Sequence, residues 1–165
     1  MEYESPEKQH AVFVSLDERY LTGIPSVDEQ HKTLVELCNK LYNTVMKERG
    51  SSSGHYTDHV KEALETCTSY AQTHFSHEEK LMKACNYSGY TDHKFQHDQF
   101  VKRVIEETRY FYDMNLEKAL GFLSFLKEWI LSHIAHEDRL FVPALKQYLL
   151  TLQKNKPSDS FGIKS

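Results

Sequence analysis

Apolar residues recur at helical spacing through most of this chain, and glycine and proline fall mainly between those stretches. His31, Leu34, Leu37, Cys38, Leu41 and Val45 make one stripe, which predicts a helix starting near Ser26, just after Pro25. Ser26 and Glu29 stand at capping-box spacing. This helix should stop before RGSSSG, a flexible linker by composition. A second helix is expected from about Thr57. Val60, Leu64, Cys67, Ala71, His74, Glu78 and Leu81 follow steps of four and three along one face, and NYSGY ends it. Thr91 can cap a third helix with the stripe His93, His97, Phe100, Val101, Val104, Thr108 and Phe111. Asn115 can cap a fourth, with Leu116, Leu120, Leu123, Leu126, Ile130 and Ile134. Pro143 lacks a backbone donor, so a break or kink is expected there, followed by a short helix from about Pro143 to Leu152. Together these elements predict an all-α, up-down-up-down four-helix bundle with a short C-terminal helix. The expected limits are an N-terminal arm over 1–12, the bundle over 13–152 and a disordered tail over 153–165.

Polar residues occupy core positions on these stripes. His74 and Glu78 interrupt the apolar face of the second helix, and His93 and His97 that of the third. Residues four apart on a helix share a face, about 5–6 Å apart between Cβ atoms, so each pair can offer two ligands to one small volume. A lone buried histidine is ordinarily a hydrogen-bonded core residue. Several of them with carboxylates in one apolar core are costly to bury without a cation. The mixture of imidazole and carboxylate suits iron better than magnesium or calcium. On the fourth helix, Glu137 stands at i+4 from His133 and Asp138 at i+5. Five residues advance about 500°, so a straight helix favours Glu137, whereas a π-bulge or kink would bring Asp138 round.

Composition narrows the partners. The 165 residues carry a formal charge of −4, which favours neither nucleic acid nor an anionic membrane. No apolar run approaches the ~20 residues of a membrane span. MEYESPEKQH does not read as a secretory signal, and the expected location is cytoplasmic. The three cysteines form no C-x-x-C pair, which fits a reducing compartment. Cys38 and Cys67 read as core residues, and Cys85 as an exposed thiol near a helix end. His10, His55, His59, His77 and His136 lie off the ligand spacing and read as solvent-facing. Glu79 and Glu137 read as carboxylates at the surface or behind the ligands.

The stretches TGIPSVDEQHKTL, YAQTHFSHEEKLM, GYTDHKFQHDQF and FLKEWILSHIAHEDRL, in that order, resemble the hemerythrin family, in particular its bacterial single-domain members. The resemblance covers about residues 13 to 150. It departs near the N-terminus, where Phe13 and Val14 stand in a region that usually carries a tryptophan. It implies a non-haem di-iron centre with seven protein ligands. His93, His97 and His133 would hold one iron, and His31 and His74 the other. Glu78 and Asp138 would bridge them with an oxo or hydroxo group, so the family pattern selects Asp138 over Glu137. Dioxygen would bind at the two-histidine iron, be reduced to a bound hydroperoxide and be released reversibly. By position, Leu34, Phe75, Trp129, Ile130 and Ile134 would line its pocket.

The expected function is therefore reversible dioxygen binding for storage, transport or delivery, not enzymatic turnover. An oxygen-consuming protein is a possible acceptor. The alternatives are a sensor of oxygen, iron or redox state acting through a partner, a di-iron peroxidase or nitric-oxide-reducing enzyme, and a bundle that binds zinc adventitiously.

Overall fold

The computed structural model describes residues 11–49, 58–109 and 115–155, and everything below concerns those residues. It contains α1 (Pro25–Glu48), α2 (Asp58–Ala84), α3 (Tyr90–Thr108), α4 (Leu116–Ser132), a π-helical turn (His133–Glu137) and α5 (Asp138–Lys154). Residues 50–54 of the expected RGSSSG linker, Thr57, Phe111, His10, His55 and most of the expected tail lie outside the described residues.

The helices form an all-α bundle with a C-terminal helix, as their stripes predict. The buried positions Val27, His31, Leu34, Val35, Cys38, Leu41 and Val45 form one face of α1. On α2, Met82 is fully enclosed and the expected Leu81 only half-buried. One large apolar cluster runs along the bundle and includes Leu41, Leu64, Phe100, Leu123 and Ile130. A smaller one, built from Ile24, Val27, Met82, Phe141, Val142 and Leu145, closes one end.

The ends of the elements differ from local expectation where tertiary partners intervene. Ser26 does not cap α1, because Pro25 takes the first helical position and Ile24 precedes it without a side-chain cap. Asp28 reaches back instead: its carboxylate accepts from the Thr22 and Gly23 amides at 2.7 and 3.0 Å and from the Thr22 hydroxyl at 2.7 Å. Gly23 has φ +73°, a turn conformation that strains other residues. Thr91 is not a cap either, since α3 already begins at Tyr90. α2 ends in a Schellman turn: Asn86 has φ 51° and donates to Lys83, while the Tyr87 amide donates to the Met82 carbonyl at 2.9 Å. Asn115 does cap α4, accepting from the Lys118 amide at 3.0 Å.

Pro143 does not break the last helix. α5 passes through it and continues to Lys154, beyond the expected Leu152. Proline costs a helix one donor, here for the Arg139 carbonyl, and both Arg139 and Pro143 face solvent. Phe141 and Val142 before it and Leu145 after it are buried in the same cluster, which holds the helix on course.

Before α1, residues 11–24 run as a strap along the bundle. Asn39 accepts from the Phe13 and Val14 amides and donates to the Val14 carbonyl, each at 2.8 Å. Phe13 stacks on Tyr42 with ring centroids 4.3 Å apart, and Val14 is buried. No described helix is long and apolar enough to cross a membrane.

Candidate metal centre

The antiparallel course of the helices gathers one end of each. His31 lies in the second turn of α1, His74 and Glu78 near the end of α2, His93 and His97 at the start of α3, and His133 just after α4. Asp138 opens α5 on the far side of the π turn. All seven side chains are buried, Glu78 and Asp138 at 0% exposure. They lie between the two apolar clusters, so water is excluded from both sides.

The ligand atoms form two groups that share both carboxylates. Glu78, His93, His97, His133 and Asp138 make one; His31, His74, Glu78 and Asp138 make the other. Within each group, one atom per residue lies within 4.8 Å of the others. Asp138 turns one oxygen to each side, Oδ1 to His133 Nε2 at 3.0 Å and Oδ2 to His31 Nε2 at 3.1 Å. Glu78 Oε1 faces His31 Nε2 at 3.7 Å, and Oε2 faces His97 at 3.5 Å and His74 at 3.6 Å.

The π turn is what admits Asp138. Its amide donates to the His133 carbonyl five residues back, and the added residue swings the i+5 side chain onto the His133 face. Glu137, which a regular helix would aim inward, is half-buried and accepts from Gln96 Nε2 at 2.8 Å.

A cation satisfies this arrangement more completely than hydrogen bonds among its neutral groups can. His93, His97 and His133 present their Nε2 atoms to one another at 3.0, 3.1 and 3.2 Å. Each Nε2 has one in-plane direction, as N–H or lone pair, so a triangle of three cannot be mutually satisfied. All four oxygens of Glu78 and Asp138 are enclosed without a hydrogen-bond donor. Separations near 3 Å match the edges of an octahedron with metal–ligand bonds of about 2.1 Å. Structural zinc ordinarily takes four ligands. One group offers three imidazoles and two carboxylates, a set suited to six-coordinate iron with one position left.

Outer partners orient two of the rings. Gln30 Oε1 accepts from His74 Nδ1 at 3.1 Å, and Glu79 Oε1 faces His97 Nδ1 at 3.4 Å. Both acceptors place the ring proton on Nδ1 and leave the Nε2 lone pair facing inward. Phe75 stacks on His97 at 4.0 Å and Trp129 on His133 at 4.3 Å, so both brace the three-histidine group. Leu34, Ile130 and Ile134 are buried in the large cluster. Gln30 and Gln96 carry no sequence signal beyond their proximity to ligands, because their roles depend on contacts between helices. His77 is half-buried with Nε2 enclosed, not solvent-facing as expected, while His59 and His136 are exposed. Cys85 is also half-buried, its thiol contacting the Met82 carbonyl at 3.5 Å.

Without metal, protons take the cation's place. Burial opposes charge on His31 and His93, but Asp138 and Glu78 outweigh it and raise both from 6.5 to about 9. Burial dominates at His74 and lowers it from 6.5 to about 4. Burial pushes Glu78 and Asp138 up, yet the surrounding imidazoles hold both below the usual carboxylate range.

Residues 22–145 match the family model of the hemerythrin HHE cation binding domain. A bacteriohemerythrin of Clostridium acetobutylicum is 32% identical over 135 residues, covering 79% of this chain and 99% of its own. A hemerythrin of Themiste dyscrita is 30% identical over 122 residues, covering 74% and 85%. A crystal structure of wild-type hemerythrin superposes with a TM-score of 0.67 at 24% identity, covering 82% of this chain and 98% of that one. Ligand groups on alternating helix ends, an extended match to the family model and a shared fold converge: this chain belongs to the hemerythrin family.

Proposed function

We propose that this chain binds dioxygen reversibly at a non-haem di-iron centre, as a carrier or store and not as an enzyme. The observation that carries the reading is the pair of overlapping ligand groups with Glu78 and Asp138 common to both. His93, His97 and His133 would hold one iron, His31 and His74 the other, and the two carboxylates would bridge them. Two irons held there would supply the electrons for reversible dioxygen binding.

The chain's own residues supply geometry and dryness. The two-histidine group has four protein donors against five in its neighbour, so it leaves room for an exogenous ligand. Leu34 stands one turn from His31 and is 2% exposed, which fits an apolar wall beside that position. Ile130 and Ile134, buried in the same cluster as Leu34, would extend the wall, and Phe75, with its ring 5.7 Å from that of His74, would bound it; Trp129 would back Phe75 at 5.5 Å from the three-histidine side. An apolar surround withholds the protons and water that would carry a reduced oxygen species away.

The test is metal analysis with an absorption spectrum, recorded reduced and oxygen-free, then in air, then deoxygenated again. The reading expects two irons per chain and charge-transfer bands that appear in air and vanish on deoxygenation. Bands that form once and never reverse would refute reversible binding, and zinc in place of iron would refute the centre.

A further inference from the structure

Two buried thiols lie beyond the metal centre and take no part in it. Cys38 and Cys67 are 2% and 3% exposed, on α1 and α2, with their sulfurs 3.6 Å apart. Cys38 follows His31 by seven residues, and Cys67 precedes His74 by seven. Because α1 and α2 run antiparallel, both offsets lead the same way along the bundle. Two turns place the thiols about 10.5 Å along the axis from the two-histidine group. Leu34 and Ala71 occupy the layer between, and Ala71 is a small residue.

The two thiols are each other's polar partner. The hydrogen bond to Cys67, together with burial, pushes the Cys38 thiol well up. Either thiol can donate to the other across this contact, so each sulfur has the other as its immediate partner. Solvent reaches neither, so bulk oxidants react slowly with them. A small neutral oxidant present inside the bundle meets both at once.

We propose that Cys38 and Cys67 form a dithiol site that reduces hydrogen peroxide inside the bundle and closes to an intramolecular disulfide joining α1 to α2. One of the two sulfurs attacks one peroxide oxygen and the O–O bond breaks. The departing oxygen leaves as water with the thiol proton, and the attacking cysteine becomes a sulfenic acid. The second sulfur, 3.6 Å away, then attacks the first, the S–O bond breaks, and the hydroxyl leaves as water with the second thiol's proton. Two thiols and one peroxide give one disulfide and two waters, with two electrons passing from sulfur to oxygen. The inference rests on the dioxygen-binding reading only for the source of peroxide, a reduced oxygen species lost from the two-histidine side into the core.

The experiment uses full-length, iron-loaded, air-oxidised protein with its thiols reduced. One molar equivalent of hydrogen peroxide is added, and free thiols are alkylated in denaturant. The proposal expects two of the three cysteines to escape alkylation, an intact mass lower by two hydrogen atoms, and a linked peptide pair from α1 and α2. Cys85 should remain alkylatable, and Cys85→Ser should react as the parent does. Cys38→Ser and Cys67→Ser should each abolish the disulfide and leave the remaining core thiol as a dimedone-reactive sulfenic acid. If Cys38 and Cys67 of the parent stay alkylatable after excess peroxide, or only Cys85 is oxidised, the proposal is overturned whatever the variants do. Added peroxide and a mass readout keep this outcome separate from the oxygen-dependent spectrum.

Discussion

Exchanging the carboxylate at position 138 against that at 137 tests the site most directly. Asp138 is fully enclosed and lies 3.0, 3.1 and 3.4 Å from His133, His31 and His93. Asp138→Asn keeps the volume and removes the charge from both ligand groups at once. Removing one partner of a buried ion pair costs about 3–5 kcal/mol. Even the lower figure corresponds to roughly 150-fold in iron affinity. Glu137→Gln removes a charge that accepts from Gln96 at 2.8 Å in a half-buried position, and the amide can still accept that bond. Its expected cost is below about 1 kcal/mol. The assay is iron per chain after equilibration with a graded chelator, beside thermal melts of metal-free protein. Asp138→Asn should lose its iron at chelator levels that leave Glu137→Gln fully loaded. The reverse order would refute the assignment and restore the i+4 residue as the ligand.

Other consequences are equally open to measurement. Deleting Ala135 removes the extra residue of the π turn and restores a regular helix with Phe141 and Leu145 still facing the core; the variant should stay folded and hold less iron, read as iron per chain and a thermal melt. An unfolded deletion variant would show that the turn serves the fold instead. Glu79→Ala and Gln30→Ala should each lower iron affinity about 10–100-fold in chelator competition while leaving the helical circular dichroism intact, because they release His97 and His74 without removing a ligand. Metal-free protein should lose stability as pH rises from 6.5 to about 9, since His31 and His93 are raised over that window and stabilise the fold while protonated. His74, lowered to about 4, acts oppositely and costs stability as pH falls below 6.5. Thermal midpoints at pH 6.5 and 9 should converge once iron replaces those protons; an equal decline with and without iron would contradict this.

The bundle and five candidate ligand positions are legible because helical periodicity is a local property. His31, His74, Glu78, His93 and His97 stand on stripes that are otherwise apolar, and that conflict is visible in one dimension. Features decided by contacts between elements are not. Ser26 and Thr91 have good capping chemistry, but Asp28 and the early start of α3 supersede them. Pro143 obeys a local rule that packing of Phe141, Val142 and Leu145 overrides. Gln30 reaches a ring on another helix, so nothing in its own segment marks it; Glu79, read from the sequence as a carboxylate at the surface or behind the ligands, stands behind His97 on α3.

Asp138 shows why periodicity could suggest a distortion but not choose its occupant. A regular turn would present the longer Glu137 side chain inward. Aspartate is shorter by one methylene, so the backbone itself must approach the site for its oxygens to meet both histidine groups. The π turn supplies that approach and carries Asp138 onto the His133 face. The same turn rotates Glu137 outward, where Gln96 on α3 holds its carboxylate. One inserted residue thus selects the short carboxylate and retires the long one. Each half of that exchange has a contact of its own: His133 for Asp138 at 3.0 Å, and Gln96 for Glu137 at 2.8 Å. A regular helix would break both together, at a site where unpaired buried charge is costly, so the π turn is stabilised by the partners it creates.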